Sequence, residues 1–211
     1  MRREIGINRD WLYRPEFSES WLDTHYEIDS QWESVCLPHS NLELPYNGFD
    51  ERDSQFLSTY IKDMFLPDFK EGERVILDFQ AVMTVAFVWI DGKPAGEHKG
   101  GYTPFSIDIT PLVHSSGKSR ILVRVDSTER SDIPPFGAVL DYLCYGGIYR
   151  TVALRIVPDC HMENIKIVPL GAGSYEKSVE TEFYIQNSGL EVLTRILSFT
   201  LNTGKESFVS L

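Results

Sequence analysis

The chain has 211 residues, of which 42% are hydrophobic, 24% charged and 12% aromatic, a composition that can bury a core and excludes a disordered polypeptide. Its formal net charge of −11 comes without the clustered Lys and Arg that neutralise phosphates, which excludes nucleic acid and anionic membranes as partners. Domains cluster near roughly 100 to 150 residues, so the length holds one large domain or one ordinary domain and part of a second.

At the N-terminus, Met1-Arg2-Arg3-Glu4-Ile5-Gly6 leads into Asn8, Arg9 and Asp10, so the apolar stretch of a signal peptide does not form. No segment approaches the roughly 20 apolar residues of a membrane span. Cys36, Cys144 and Cys160 are odd in number and scattered, which reads as reduced thiols in a cytoplasmic protein. Across residues 1–73, Trp11, Trp21, Trp32 and Tyr60 are separated by turn-forming segments and predict edge strands and wrapping loops. The three tryptophans sit among polar neighbours and are expected to be partly exposed, where an aromatic face can stack on a sugar, with packing as the commoner role. Tyr46–Ser58 is rich in polar and turn residues and precedes a strand over Thr59–Leu66 that stops at Pro67.

From Arg74 onward short β-rich runs alternate with Gly, Pro, Asp and Asn clusters, the pattern of a sandwich or barrel. Arg74–Phe79 is a strand, and Thr84–Ile90 is apolar on both faces, which predicts a central strand buried on both sides. Asp91-Gly92 supplies a two-residue hairpin turn, followed by a polar return over Lys93–Lys99 and a bend at Gly100-Gly101. Ser106–Thr110 alternates, and in Arg120–Asp126 the residues Ile121, Val123 and Val125 share one face. Ser127–Gly147 is too long for a turn and is a candidate functional loop. Thr151–Val157 closes the first unit at Pro158. Beyond it, strands are expected over Asn164–Val168, Val179–Gln186 and Arg195–Asn202, with Val179, Phe183 and Ile185 on one face. These strands cannot cover both faces of a sheet, so the reading is a truncated domain whose edge packs on the first domain or pairs with a second chain.

Signals for catalysis are sparse. Cys36-Leu37-Pro38-His39 has half the spacing of a metal site but no second ligand pair, and Cys160-His161 would point to opposite faces of a strand. There is no Gly-x-Ser-x-Gly elbow, P-loop or dinucleotide glycine pattern, so no cofactor is predicted. Asp50, Glu51, Asp53, Glu129, Asp132 and Asp141 lie in predicted loops. Glycoside hydrolysis needs two carboxylates flanking the bond, and nothing in this spacing selects a pair.

Several stretches in order resemble the N-terminal sugar-binding domain of glycoside hydrolase family 2: Trp32–His39, Val82–Gly96, and His98-Lys99-Gly100-Gly101-Tyr102-Thr103-Pro104-Phe105. Gly146-Gly147-Ile148-Tyr149-Arg150-Thr151-Val152 is similar to the family's Gly-Gly-Ile-Tyr-Arg-x-Val segment. The resemblance implies an all-β chain: a jelly-roll (galactose-binding-domain-like) β-sandwich over 1–158, then an immunoglobulin-like β-sandwich over 159–211, truncated at its C-terminus. In the family a (β/α)₈ barrel follows and carries both catalytic glutamates, so no catalytic residue, cofactor or metal ligand is assigned here. The implied role is a non-catalytic sugar-binding and scaffolding part of a retaining exo-β-glycosidase of β-galactosidase or β-glucuronidase type. Its implied partners are a β-glycoside, the absent barrel domain and further copies in a homo-oligomer. Asp141, five residues before Gly146, resembles a loop aspartate that reaches the sugar. Gln55 falls where relatives can place an asparagine near the same sugar, and its residue type departs from that pattern. An independent carbohydrate-binding module and a structural oligomerisation domain are the alternative readings.

Overall fold

Alternating β-branched and aromatic residues, punctuated by Gly, Pro and Asp, produce strands rather than helices. The computed structural model describes residues 2–43, 46–48, 50–137, 144–171, 173–175, 177–189, 194, 199–202 and 207–210. The chain divides into two compact units, Met1–Pro158 and Asp159–Leu211.

The first unit contains β1 (Arg3–Gly6), β2 (Trp11–Arg14), β3 (Glu33–Val35), β4 (Leu57–Phe65), β5 (Glu73–Phe79), β6 (Val85–Ile90), β7 (Lys93–Lys99), β8 (Phe105–Asp108), β9 (Lys118–Asp126) and β10 (Val152–Pro158). They form a four-stranded sheet in the order β1-β10-β5-β8 and a six-stranded sheet in the order β3-β2-β4-β9-β6-β7. Each pairing is antiparallel. The two-residue side-chain period sends Val75, Leu77 and Phe79 of β5 into the same core as Val123 and Val125 of β9. This is the β-sandwich that the alternation predicts.

The six-stranded sheet is buried on its other face as well. Residues 17–32 fold back over it, and Trp21, Trp32, Ile61 and Leu122 form a second cluster with Phe17, Tyr26 and Trp89 packed against it. The two-sided apolarity of β6 therefore has a direct cause: Ala86, Val88 and Ile90 face the inter-sheet core, while Trp89 faces the covering segment. Arg124 belongs to that outer layer, its guanidinium 4.1 Å from the Phe87 ring centroid and 5.1 Å from that of Phe17.

Two expectations for the N-terminal third are corrected. Trp11, Trp21 and Trp32 are not partly exposed; their relative exposures are 0%, 5% and 8%. The polar neighbours that suggested exposure instead form the lid of the cluster, with the Arg14 guanidinium 5.2 Å from the Trp21 centroid. The indole N–H groups are satisfied internally, Trp11 donating to the Ile7 carbonyl at 2.6 Å and Trp32 to the Tyr26 hydroxyl at 3.1 Å. Nor are the strands of this region all edges: β2 lies between β3 and β4, and β4 between β2 and β9.

The hairpin at Asp91-Gly92 forms as expected, both residues having positive φ, 49° and 73°. It also fastens the outer layer. Asp91 Oδ1 accepts the Arg120 N–H at 2.7 Å, and a Cβ on Gly92 would lie 2.3 Å from the Leu22 carbonyl oxygen.

In the second unit, β11 (Cys160–Leu170) pairs with β12 (Ser178–Asn187), and β13 (Phe199–Asn202) with β14 (Ser207–Ser210). The register puts Ile165 opposite Phe183 and Pro169 opposite Val179, so the predicted apolar face exists. Lys166 and Glu182 form an ion pair on the opposite face. Residues 195–198 of the expected last strand lie outside the described residues. No helix among the described residues is long and apolar enough to cross a membrane.

Replacing Gly92 by Ala combines a left-handed backbone conformation with a clash against main chain that cannot rotate away. It is expected to destabilise the first unit by at least about 2 kcal/mol in urea denaturation. Asp91→Asn keeps the acceptor and tolerates positive φ, and is expected to stay within about 0.5 kcal/mol of the parent.

Candidate functional site

The segments singled out in the sequence meet at one end of the sandwich. The His39 N–H donates to the Ile148 carbonyl at 2.9 Å, and the Gly100 N–H to the Thr84 carbonyl at 3.0 Å. Tyr149 donates its hydroxyl proton to the Gly101 carbonyl. Met83 and Gly147 exchange both backbone hydrogen bonds, at 3.0 and 3.2 Å, and Ser127 Oγ donates to the same Met83 carbonyl at 2.9 Å. Stretches far apart in sequence, His39 and Ile148 among them, are thereby one hydrogen-bonded structure.

At its centre is an aromatic cluster. The His39 ring lies 4.6 Å from Tyr13 and 5.6 Å from Tyr60, centroid to centroid. His39 Nδ1 and the Tyr60 hydroxyl are 2.8 Å apart. Burial pushes the Tyr60 and Tyr13 hydroxyls far above their ordinary range and keeps them protonated. Burial likewise lowers His39 below its usual 6.5, against the weaker upward pull of Glu33 and Glu43. His39 is therefore tied to Tyr60 through Nδ1.

Gly147 is fixed by these neighbours. Its φ is +102°, and a Cβ there would meet the Tyr60 hydroxyl at 2.6 Å and the His39 carbonyl oxygen at 2.9 Å. Around this anchor the surface is aromatic: Tyr102 and Tyr145 are exposed, and Tyr102 packs edge-on against Tyr149 at 6.4 Å.

Asp141 lies outside the described residues, in segment 138–143 of the predicted functional loop. Gln55 is half-buried at the end of the short turn Glu51–Ser54, and its Oε1 accepts the Glu129 N–H at 3.2 Å. The other loop carboxylates whose side chains are described have local partners. Asp50 is held well below the carboxylate range, at about 2, by hydrogen bonds from Arg52. Asp132 is lowered by Arg130, and Glu129 Oε1 accepts the Gly137 N–H at 2.7 Å.

Sequence reasoning missed Asn41 and Ser127. The Asn41 amide is buried, donating through Nδ2 to the Ser54 carbonyl at 2.8 Å while its Oδ1 has no hydrogen-bond partner among the described residues. Neither residue belongs to a periodic strand or a chemical motif, so only their contacts reveal them.

The result is a β-sandwich that presents anchored loops from one end. Residues 25–158 match the model of "Glycosyl hydrolases family 2, sugar binding domain". The chain belongs to glycoside hydrolase family 2. It is 41% identical to a beta-galactosidase of Thermoanaerobacterium thermosulfurigenes over 190 residues, covering 89% of this chain and 26% of that protein. Against a beta-glucuronidase of Bacteroides fragilis it is 33% identical over 163 residues, 75% of this chain and 21% of the relative. A solved structure of a calcium-binding mutant of Bacteroides uniformis beta-glucuronidase 2 superposes with a TM-score of 0.77 at 28% identity, covering 89% of this chain and 23% of that one. The chain thus spans about a quarter of the length of the curated relatives it matches.

Two outcomes follow from the anchor. Gly147→Ala is expected to cost about 3 kcal/mol or more in denaturant unfolding, because strain and overpacking act together. His39 adds a pH dependence. Its folded-state value is depressed, so its contribution is complete above pH 6.5 and is lost as pH falls through the folded value. Urea midpoints measured from about pH 7.5 to about pH 5 should decline less steeply in His39→Asn, which keeps an acceptor toward Tyr60 but cannot take up the proton.

Proposed function

We propose that this chain is the non-catalytic, sugar-binding and scaffolding part of a retaining exo-β-glycosidase of β-galactosidase or β-glucuronidase type. The observation that carries this reading is the convergence of the family-like segments on one loop-bearing end of the sandwich, joined by the Met83–Gly147 hydrogen bonds. A rigid sheet end of this kind can hold a loop as one wall of a pocket whose floor lies on another domain. In this reading residues 1–158 are a jelly-roll domain, residues 159–211 begin an immunoglobulin-like domain, and Asp141 is the sugar contact. Its partners are a β-glycoside, a catalytic barrel domain and further copies of the enzyme, in the cytoplasm.

Burial of Trp11, Trp21 and Trp32 takes these three indoles away from any sugar-stacking face. One wall of a pocket supplies too few hydrogen bonds to offset the orientational cost of binding a sugar. The chain alone is therefore expected to give no turnover of chromogenic β-galactosides or β-glucuronides, and no calorimetric binding tighter than about millimolar. Joined to its barrel, Asp141→Ala should lower kcat/KM by about 10- to 100-fold, the loss of one charged hydrogen bond worth about 1.5–3 kcal/mol. Turnover by the chain alone, or an Asp141→Ala enzyme with undiminished kcat/KM, contradicts the reading.

A further inference from the structure

Residues 138–143 are flanked on both sides by main chain tied to one short turn. On the incoming side, Gly137 donates its N–H to Glu129 Oε1 at 2.7 Å, and Glu129 donates its own N–H to Gln55 Oε1 at 3.2 Å. On the outgoing side, Ser54 Oγ donates to the Cys144 carbonyl at 3.4 Å. The Asn41 N–H donates to the Gly146 carbonyl at 3.0 Å, while its Nδ2 donates to the Ser54 carbonyl at 2.8 Å. Ser54 and Gln55 are consecutive, so both legs stand on the end of the turn Glu51–Ser54.

The footing is itself braced. Asp50 caps the turn, its side chain accepting from the Arg52 N–H at 3.0 Å while Asp53 Oδ2 accepts the Asp50 N–H at 3.2 Å. The incoming leg is fixed beneath Glu129, where the Ser127 N–H donates to the Phe56 carbonyl at 3.1 Å and Asp126 Oδ1 accepts the Thr128 N–H at 3.0 Å. Further along, Ile133 is buried and its N–H donates to the Arg130 carbonyl at 3.3 Å. The leg is therefore built structure up to Gly137, with Glu129 as the side chain that ties its end down.

We propose that Gln55 and Glu129 are positioning residues, a two-link clamp that fixes the incoming end of segment 138–143 while Ser54 and Asn41 fix the outgoing end. Gln55 acts through Glu129 on the loop, its side-chain carbonyl already engaged by a backbone donor. The consequence for sugar recognition rests on the function proposed above: in that reading the turn Glu51–Ser54 fixes where the loop that carries Asp141 leaves the sandwich and where it returns. The clamp itself needs no ligand and can be read on the whole chain.

Hydrogen exchange and limited proteolysis test it. In Glu129→Ala, exchange of the Gly137 amide should rise about tenfold and cleavage within 138–143 several-fold, while the urea midpoint stays put. Glu129→Gln retains an Oε1 acceptor and should restore both rates. Gln55→Ala should expose the Glu129 amide and accelerate the same cleavage. Unchanged Gly137 exchange in Glu129→Ala overturns the clamp, as does a Glu129→Gln variant no better than Ala. A global rise in exchange with a lowered midpoint would make Glu129 a general stability residue and overturn it too. These readouts involve no sugar, so their failure is separate from that of the proposed function, which falls if the chain alone turns over a β-glycoside or if Asp141→Ala leaves kcat/KM of the complete enzyme undiminished.

Discussion

The backbone exchange between Met83 and Gly147 is the constraint on which the working end of the first unit depends. It joins the start of the β6 hairpin to the return of the long loop at a point where no side chain fits. Because Tyr60, His39 and Ser127 close around the same spot, the anchor is over-determined: main-chain bonds, aromatic contacts and a hydroxyl all specify one arrangement. Such redundancy lets a loop be long and still begin and end at defined places.

The sandwich behind this anchor owes its rigidity to a sheet buried on both faces. An antiparallel sheet commonly leaves one face to water, and the usual signature is clean polar and apolar alternation. Here residues 17–32 return across the outer face, so Leu12, Ile61, Leu122 and Trp89 point into a second cluster while their neighbours fill the main core. Cluster and hairpin are linked through Gly92, which abuts the Leu22 carbonyl, and through Arg120, whose guanidinium pairs with Asp63 at 2.6 Å and donates to the Tyr26 carbonyl at 2.9 Å. The ion pair is partly buried and bidentate, the geometry in which such pairs stabilise most.

Much of the strand framework was legible. β5, β6, β7, β9 and β10 fall where alternation and turn residues put them, since side-chain period and hairpin chemistry are local properties. The N-terminal third was legible only in part. The turn residues and tryptophans were visible, but whether an indole beside Asp, Glu and Arg faces water depends on what folds over it. For Trp21 and Trp32 that is Arg14, at the end of β2. The carboxylates were legible in position only: Asp50, Asp132 and Glu129 look alike as loop acids, and the structure binds each to its own nearby donor, Arg52, Arg130 and the Gly137 N–H.

By itself the sequence determined the fold class, the strand periodicity, the Asp91-Gly92 turn and the family, because each is written in residues close together in the chain. Tertiary structure alone decided that His39 serves Tyr60, that the tryptophans are core, that Gln55 faces a backbone amide and that Asn41 joins two loops. Those are contacts between residues far apart in sequence, whose partners exist only after the two sheets have closed on each other and excluded the water that would otherwise satisfy them.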